Sequence, residues 1–373
     1  MKKNELPIAI PIIFSSFRKL PSGTRKIDIF DQAYRELFLV DHPKFKQELL
    51  GQPEAWKKFV RLYSDKGVWI YYPWRRLAVR VLSEQNYFRL RTNRNRYVIT
   101  EKEQERYRHL KVGIAGLSVG SSIVSALVAS GGPRILKLAD FDVVEVGNLN
   151  RMRAILPDVG SSKVMVAART VWELDPFAQL DLWGKGVSAE NIRKFITGKP
   201  RLDLFIDEMD SLDIKVAARL VCQKEGIPVV MATDNGDGVI VDVERFDLEK
   251  ERPIFHGSTG KWDTDRLSKL DYKQWLKLAT KIVDPAFLTE EMQKSLPEIG
   301  RTLAGVPQLG TASAVAGAVV AVMVRRIANK LPLPSGRYIL NLEERIVPNY
   351  NSIKSKRRRQ RLAYQLNKFF GKD

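Results

Sequence analysis

The sequence has 373 residues, of which 44% are hydrophobic and 28% charged, which is ordinary for a globular chain with room for two domains. Its single cysteine, Cys222, excludes an internal disulfide and a cysteine-rich zinc site, since both need several thiols. Such low cysteine usage is typical of a reducing compartment, so we expect a cytoplasmic protein without structural zinc.

The formal net charge is +19, and residues 74–100 and 353–373 together carry +13 of it. Clustered positive charge attracts phosphates, acidic protein surfaces or anionic lipid heads. The charge therefore predicts an acidic or phosphate-bearing partner and does not choose among these classes.

The N-terminal region, residues 1–100, mixes helical and irregular patterns and is Arg-rich at its end. Helices are predicted at residues 30–50 and 55–63. No catalytic constellation is recognisable here, so we expect a smaller, mainly helical region whose role the sequence leaves open.

From residue 101 to 350 the pattern changes to alternating strands and helices. Strands are predicted at residues 111–116, 134–138, 202–206, 228–232 and 338–341, and helices at 121–130, 163–173, 214–224 and 311–330. This rhythm favours an α/β fold with a mostly parallel, doubly wound sheet that has helices on both faces.

Residues 251–301 interrupt that rhythm and are interpreted as a lid or insertion, in which His256 is a candidate to approach a substrate. Residues 303–324 lack charges over a membrane-spanning length, but Gly305, Pro307 and Gln308 interrupt them. A buried core helix capped near Thr311 is therefore expected, without a membrane span. Residues 351–373 form a basic C-terminal tail.

The first chemical signal is the turn Gly116-Leu117-Ser118-Val119-Gly120 between a predicted strand and helix. Backbone amides at such a helix start can bind phosphate, and small residues let a ligand approach closely. Ser118 stands where a G-x-G-x-x-G motif has its second glycine, so the match to that motif is incomplete. A tight strand-to-helix turn that binds no ligand is therefore the alternative.

The second signal follows the next strand, where Asp140 and Asp142 precede Asn148-Leu149-Asn150-Arg151. A carboxylate at that strand end is suitably placed to bind ribose hydroxyls, which also fits a dinucleotide dehydrogenase. An arginine eleven residues later can neutralise a triphosphate, and a plain dehydrogenase does not need it.

Two further signals are Lys163, which opens a helix, and Asp210, which follows the strand that ends near Asp207. A lysine in the first helical turn is unfavourable unless an anion offsets it. A carboxylate at the strand end can hold Mg²⁺ against phosphates. The alternatives are an ordinary exposed lysine and, for Asp210, a helix N-cap.

This ordered set of motifs resembles the adenylation domain of the ThiF, MoeB, HesA and ubiquitin-activating-enzyme family, over about two thirds of the chain. The resemblance implies a Rossmann-like fold that binds ATP and Mg²⁺. It also implies site roles for residues of this sequence: Gly116, Ser118 and Gly120 with Asp140 and Asp142 at the nucleotide, Asn148, Arg151 and Lys163 at the phosphates, and Asp210 at the metal. Arg96 is implied to reach the site of a partner subunit, which predicts a homodimer.

Members of that family adenylate a carboxyl group, commonly the C-terminal glycine of a ubiquitin-like or sulfur-carrier protein. Here the paired CxxC motifs and the catalytic cysteine of the family are absent from the sequence. Cys222 lies in a predicted amphipathic helix and is interpreted as a core residue, so transfer without a thioester on this chain is expected.

The leading interpretation is therefore an ATP-dependent adenylyltransferase that acts on a protein or small-molecule carboxylate. A tRNA threonylcarbamoyladenosine dehydratase-like enzyme is the alternative within the same superfamily, and the basic tail favours it. A nucleotide-binding module without catalysis is a third interpretation. An NAD-dependent oxidoreductase is disfavoured by the loop that carries Arg151.

Overall fold

The computed structural model describes residues 10–46, 53–62, 65–258, 267 and 270–370. The chain divides into two compact units. The first contains Met1–Gln104 and Trp172–Phe177, and the second contains Glu105–Val171 and Ala178–Asp373. The basic tail is part of the second unit.

The first unit combines a four-stranded sheet with helices. Its strands are β1 (Ile12–Phe14), β2 (Arg25–Asp28), β3 (Val68–Tyr72) and β4 (Leu77–Val81), in the order β1-β3-β4-β2. Its helices are α1 (Phe30–Asp41), α2 (Pro53–Leu62), α3 (Glu84–Arg91) and the start of α4 (Glu101–His109), which crosses into the second unit.

Helices occur in this region as predicted, and residues 47–50 and 63 of the two predicted helices lie outside the described residues. Tyr34, Phe38 and Phe59 form an aromatic core between α1 and α2. The sheet was not predicted from the sequence. The physical reason is visible in β2, which is exposed along its whole length and so lacks the alternation of apolar and polar residues that marks a half-buried strand.

The second unit contains a seven-stranded sheet in the order β11-β10-β9-β8-β5-β6-β7. The strands are β5 (Lys111–Ala115), β6 (Ile135–Ala139), β7 (Gln179–Trp183), β8 (Leu204–Asp207), β9 (Val229–Asn235), β10 (Gly238–Glu244) and β11 (Gly336–Leu340). The five strands from β7 to β9 are parallel, and β10 and β11 are antiparallel. The mostly parallel Rossmann-like sheet is therefore confirmed.

Helices cover both faces of this sheet. The further helices of this unit are α5 (Val119–Ala129), α6 (Lys163–Leu174), α7 (Ile192–Thr197), α8 (Leu212–Glu225), α9 (Tyr272–Val283), α10 (Glu290–Ser295), α11 (Gly310–Ala328), α12 (Glu343–Ile346) and α13 (Ile353–Phe369). Helices α7 and α8 pack on one face through Phe195, Val216 and Phe205, while α5 and α11 pack together on the other.

Helix α11 is, among the described residues, long and apolar enough to cross a membrane by length and composition. Its contacts are those of a core helix: Ser313 Oγ donates to Ser122 Oγ of α5 at 2.9 Å, and a Cβ on Gly317 would lie 2.7 Å from the Ser122 carbonyl oxygen. The helix begins near Thr311 as predicted, but Thr311 does not cap it: the N-cap residue is Leu309, and the Thr311 hydroxyl donates to Asp237.

The order of the strands creates a crevice at one edge of the sheet. From β5 the chain proceeds through β6 to β7, and then crosses to β8 on the other side of β5. The carboxyl ends of β5 and β8 therefore diverge into loops on opposite faces, which is where open α/β sheets bind ligands.

Candidate active site

Two cavities adjoin at this edge of the sheet, one of about 440 Å³ and one of about 90 Å³. Six residues line both of them: Ser118, Asp142, Lys163, Glu208, Met209 and Asp210. Asp140 lines the smaller cavity and Arg151 the larger one. The four charged residues on which the sequence interpretation depends thus meet at one composite site.

The glycine-rich turn after β5 has a conformation that requires glycine at its first position. Gly116 has φ +90°, and a Cβ there would lie 2.2 Å from the carbonyl oxygen of Glu208. Ser118 is the N-cap residue of α5, but its side chain makes no cap hydrogen bond. The first amides of α5 therefore lack a side-chain acceptor, which is the arrangement that favours anion binding. Gly120 lies buried in the first turn of the same helix.

Arg151 lies against this helix start. Its Nε donates to Ser118 Oγ at 3.1 Å, and its Nη1 donates to the Gly147 carbonyl and to Asn150 Oδ1, each at 2.9 Å. A guanidinium beside the positive end of a helix dipole is electrostatically unfavourable unless an anion binds between them. The positive charge at this point therefore favours binding of a negatively charged ligand.

The Asp140 side chain holds the glycine-rich turn through hydrogen bonds to backbone amides. Its Oδ2 accepts a hydrogen bond from the Leu117 amide at 2.7 Å, and its Oδ1 accepts one from the Asp142 amide at 2.9 Å. Burial raises the pKa of this carboxyl group above its ordinary value, against the lowering effect of those bonds. Each oxygen retains a second lone pair that could accept a ribose hydroxyl. Binding of ribose by Asp140 stays a prediction.

Lys163 and Asp142 form an ion pair at the junction of the cavities. Lys163 Nζ lies 2.8 Å from Asp142 Oδ2, and the Lys163 amide donates to the Asp142 carbonyl at 3.0 Å. The carboxylate that offsets a lysine at the start of α6 is thus supplied by the chain itself. Asn148 lines the larger cavity nearby, where its Oδ1 accepts from the Glu145 amide at 3.1 Å.

Asp210 is exposed and lines both cavities. The alternative of a helix N-cap is wrong, since the N-cap residue of α8 is Ser211. Within the described part of the chain, Asp210 makes no hydrogen bond or ion pair, and no group of three or more potential metal ligands occurs. A single open carboxylate fits Mg²⁺, which proteins usually hold through one or two carboxylates plus substrate phosphates.

Several lining residues were not singled out from the sequence: Glu208, Lys215, Asp234 and Gln308. Glu208 Oε1 accepts from the Ala232 amide at 2.9 Å, and burial raises the pKa of this carboxyl group. Asp234 was missed because β9 was predicted to end at Ala232. For Glu208 and Asp234, the signal that could have found them is their position just after β8 and at the end of β9, at the ligand-binding edge.

The larger cavity has an apolar wall that comes from the segment interpreted as a lid or insertion. The wall is formed by Trp275, Ala279, Ile282 and Val283 of α9 and by Leu288, Met292 and Leu296 beyond it. His256 of the same segment lines neither cavity. The structure gives no support to the less favoured possibility that it approaches substrate, because its Nε2 bonds Asp242 Oδ1 at 3.1 Å and its Nδ1 bonds Arg252 at 2.9 Å.

Two further predicted residues lie away from these cavities. Cys222 is fully buried, and burial raises the pKa of its thiol, so it is a core residue as interpreted. Arg96 belongs to the first unit, is exposed and lines neither cavity. Its expected place is in the site of a partner subunit, and that stays a prediction.

A comparison with protein families matches the ThiF family over residues 91–361. Among curated proteins, the chain is 43% identical over 291 residues to the uncharacterized protein MT1398 of Mycobacterium tuberculosis, which covers 78% of this chain and 39% of that protein. It is 32% identical over 147 residues to tRNA threonylcarbamoyladenosine dehydratase 2 of Saccharomyces cerevisiae, covering 38% of this chain and 32% of that protein. The chain thus spans less than half the length of these relatives.

Among solved structures, the chain resembles the Escherichia coli tRNA N6-threonylcarbamoyladenosine dehydratase. The TM-score is 0.47 at 19% identity, and the match covers 65% of this chain and 95% of that one.

Proposed function

The chain belongs to the ThiF family, and from that premise we propose that it uses ATP to activate a carboxylate as an acyl-adenylate. In this reaction a carboxylate oxygen of the substrate bonds to the α-phosphorus of ATP. The bond from that phosphorus to the bridging oxygen breaks, and pyrophosphate leaves. Two sources of the carboxylate fit this reaction: a protein C-terminus and a small molecule.

One observation carries the proposal: a guanidinium lies at an uncapped helix start, in the same cavity as an open carboxylate. Arg151 contacts Ser118 at the start of α5, and Asp210 lines the same cavity. A magnesium-bound triphosphate would bring negative charge to Arg151 and to the helix start, and a cation to Asp210.

The residues of the chain would act by positioning and by charge stabilisation. Arg151 would bind phosphate oxygens that gain negative charge as pyrophosphate leaves. Lys163 is already neutralised by Asp142 at 2.8 Å, so we expect it to contribute less than Arg151 unless it changes partner when ATP binds. Asp210 would hold Mg²⁺, which when bound screens the phosphate charges.

The smaller cavity is the proposed nucleoside site. It is lined by Gly116, Asp140, Phe141, Gly186 and Val187, which offer two glycine backbones, one carboxylate and apolar surface. These features suit a ribose and a flat base.

The test is ATP–pyrophosphate exchange, measured with a panel of carboxylates that contains a peptide ending in Gly-Gly and small organic acids. Exchange that depends on both ATP and one acid is the expected result. If the protein binds ATP but supports no exchange with any acid, it is the nucleotide-binding module without catalysis, and the proposal is wrong.

Arg96 extends the proposal to a homodimer. If Arg96 of a partner subunit contacts the phosphates, an Arg96→Ala chain and an Asp210→Ala chain, each inactive alone, should regain activity when mixed. Sedimentation would show whether the mixed chains associate. A monomer with full exchange activity would remove the predicted role of Arg96.

A tRNA substrate is the second candidate, and helix α13 favours it. Six cationic side chains of α13 are exposed: Lys354, Lys356, Arg357, Arg358, Arg361 and Lys368. Arg358 also pairs with Glu290 of α10 at 2.5 Å, which ties the helix to the second unit. Binding of tRNA through such a surface should weaken steeply with salt. Stimulation of ATP turnover by tRNA would support this candidate, and its absence at low salt would exclude it.

A further inference from the structure

Asp234 is a buried acid on the wall of the larger cavity. It is the penultimate residue of β9, only 7% of its surface is exposed, and it lines the cavity. Neither of its carboxylate oxygens has a hydrogen-bond partner of normal geometry among the described residues. A buried carboxylate left unsatisfied costs free energy, which a ligand that brings a donor into the cavity would remove.

The nearby groups of the chain satisfy this acid only in part: Arg151 and the Gln308 side chain lower its pKa, but neither forms a hydrogen bond of normal geometry with it. Arg151 is committed to Ser118, the Gly147 carbonyl and Asn150, and Lys215 Nζ lies 3.1 Å from Asp207 Oδ1. Burial raises the pKa of Asp234 to about 6, while Arg151 and the Gln308 side chain oppose that rise. The carboxyl group is therefore mostly ionised at neutral pH, which favours a cationic partner over a neutral one.

Glu208 is a half-buried carboxyl group on this wall, and it is a poorer receptor for a cation. Its Oε1 already accepts the Ala232 amide at 2.9 Å. Desolvation raises its pKa well above the ordinary value, which disfavours the charged form that a cation needs. Asp234 is thus the acid best suited to bind a positive group.

The side of the cavity that comes from α9 and the residues after it is mostly hydrocarbon, with Thr280 as a polar member. Trp275, Ile282, Leu288, Met292 and Leu296 line the same cavity, and Leu288 and Met292 also pack together in one apolar cluster. A cavity of about 440 Å³ is in the range that binds small ligands. A polypeptide tail that ends in glycines would place amide groups against this wall without partners.

We propose that Asp234 and this apolar wall form an acceptor subsite for a small, amine-bearing apolar carboxylic acid. The ammonium group would bind Asp234, the hydrocarbon part would lie against the wall, and the carboxylate would face the phosphate end marked by Arg151. The assignment of this acid as a substrate rests on the proposed function. The assignment of the ammonium site rests on the geometry of the cavity alone.

The ammonium site can be tested without catalysis, by calorimetric titration with hexylammonium, which has a cation and a hydrocarbon chain but no carboxylate. We expect wild-type protein to bind hexylammonium about 10- to 100-fold more tightly than Asp234→Asn does, as for a charged hydrogen bond. Asp213→Asn is the matched control, because Asp213 lies on α8 and lines neither cavity. 1-Hexanol, which lacks the charge, should bind both proteins equally weakly.

Equal binding of hexylammonium to wild type and Asp234→Asn, or no binding at all, would overturn the subsite. The reaction is then tested by exchange with two matched pairs of acids: 6-aminohexanoate against hexanoate, and L-leucine against 4-methylpentanoate. At least one amine-bearing acid should be preferred about 10-fold or more over its partner, and Asp234→Asn should abolish that preference.

No preference in either pair would overturn the substrate assignment. Absence of exchange with every acid, in a protein that binds hexylammonium through Asp234, would instead contradict the proposed adenylation and leave the ammonium site standing.

Discussion

The two sides of the larger cavity differ in the kind of sequence that builds them. The polar side, which we call the phosphate side because we propose that phosphates bind there, consists of residues in loops that directly follow β5, β6 and β8, such as Ser118, Asp142 and Asp210. The opposite side consists of apolar residues on helices α9 and α10 and the turns around them. Both sides line the same volume, yet only the first is recognisable as a motif.

This difference has a chemical cause. A triphosphate requires amides, cations and a carboxylate at defined points, so few residue types suffice at each position. An apolar wall requires only hydrocarbon surface of suitable shape, and many residues supply it. We therefore expect the phosphate side to respond to single substitutions with large losses, and the apolar side with small, substrate-dependent ones.

The largest effect is expected from Asp210→Ala. Loss of the carboxylate proposed to hold Mg²⁺ should lower exchange by about 100- to 1,000-fold, with unfolding unchanged because Asp210 is exposed and makes no bond with the described residues. Steady-state exchange and circular dichroism provide the measurement. Asp213→Ala, three residues further on, should retain normal exchange, and full activity of Asp210→Ala would remove that residue from the mechanism.

Arg151→Ala should have the next largest effect. Removing a charged hydrogen bond to phosphate should lower kcat/KM for ATP by about 10- to 100-fold. Arg153→Ala is the matched control, because its side chain is exposed and lines neither cavity. Arg361→Ala on α13 tests the tail in the same way. Equal losses in the three variants would place the phosphate site elsewhere.

A smaller effect is expected from Trp275→Ala on the apolar side. Loss of part of the wall should raise KM for an apolar acid by about 10-fold, while KM for ATP stays unchanged. Trp183→Ala is a control within the same apolar cluster, since Trp183 packs on Phe195 and lines neither cavity. If both variants change KM for the acid equally, the apolar wall does not select the substrate.

The smallest effect concerns stability. Burial raises the pKa of folded Asp234 to about 6, above about 3.9 in the unfolded chain. The folded state therefore binds the proton more tightly, and the cost of ionising Asp234 is present above pH 6 and disappears as the pH falls towards 4. We expect Asp234→Asn to raise the free energy of unfolding by about 1 kcal/mol at pH 7.5.

Chemical denaturation at pH 7.5 and pH 4.5 checks this expectation, with Asp213→Asn as the reference. The gain should shrink at the lower pH. A gain that is equal at both pH values, or a loss at pH 7.5, would show that Asp234 is not an unsatisfied acid in the folded protein.

Sequence patterns predicted the central strands because those strands are continuous apolar runs. β8 is buried at all four positions, as expected for a parallel strand covered on both faces. β7 was missed, since Gln179, Asp181 and partial exposure interrupt its apolar pattern. β10 was missed because Asp242 and Glu244 are charged but buried, and they bind Arg337 and Arg219 across the structure.

The candidate site divides in the same way. Arg151, Lys163 and Asp210 were predicted, and they line the cavities. Asp234 and the apolar wall were not predicted, because an acid after a strand and leucines in a helix have no distinctive spacing. The Lys163–Asp142 pair also required coordinates, since the sequence places those residues 21 positions apart.

The sequence by itself determined the parallel α/β core and the charged groups that line the cavities, because strand burial and loop chemistry act over a few neighbouring residues. Tertiary structure alone decided which helices close the cavity, which acid is left without a partner, and which charges neutralise each other. Those outcomes depend on distances between segments far apart in the chain, and local patterns of hydrophobicity and charge do not encode such distances.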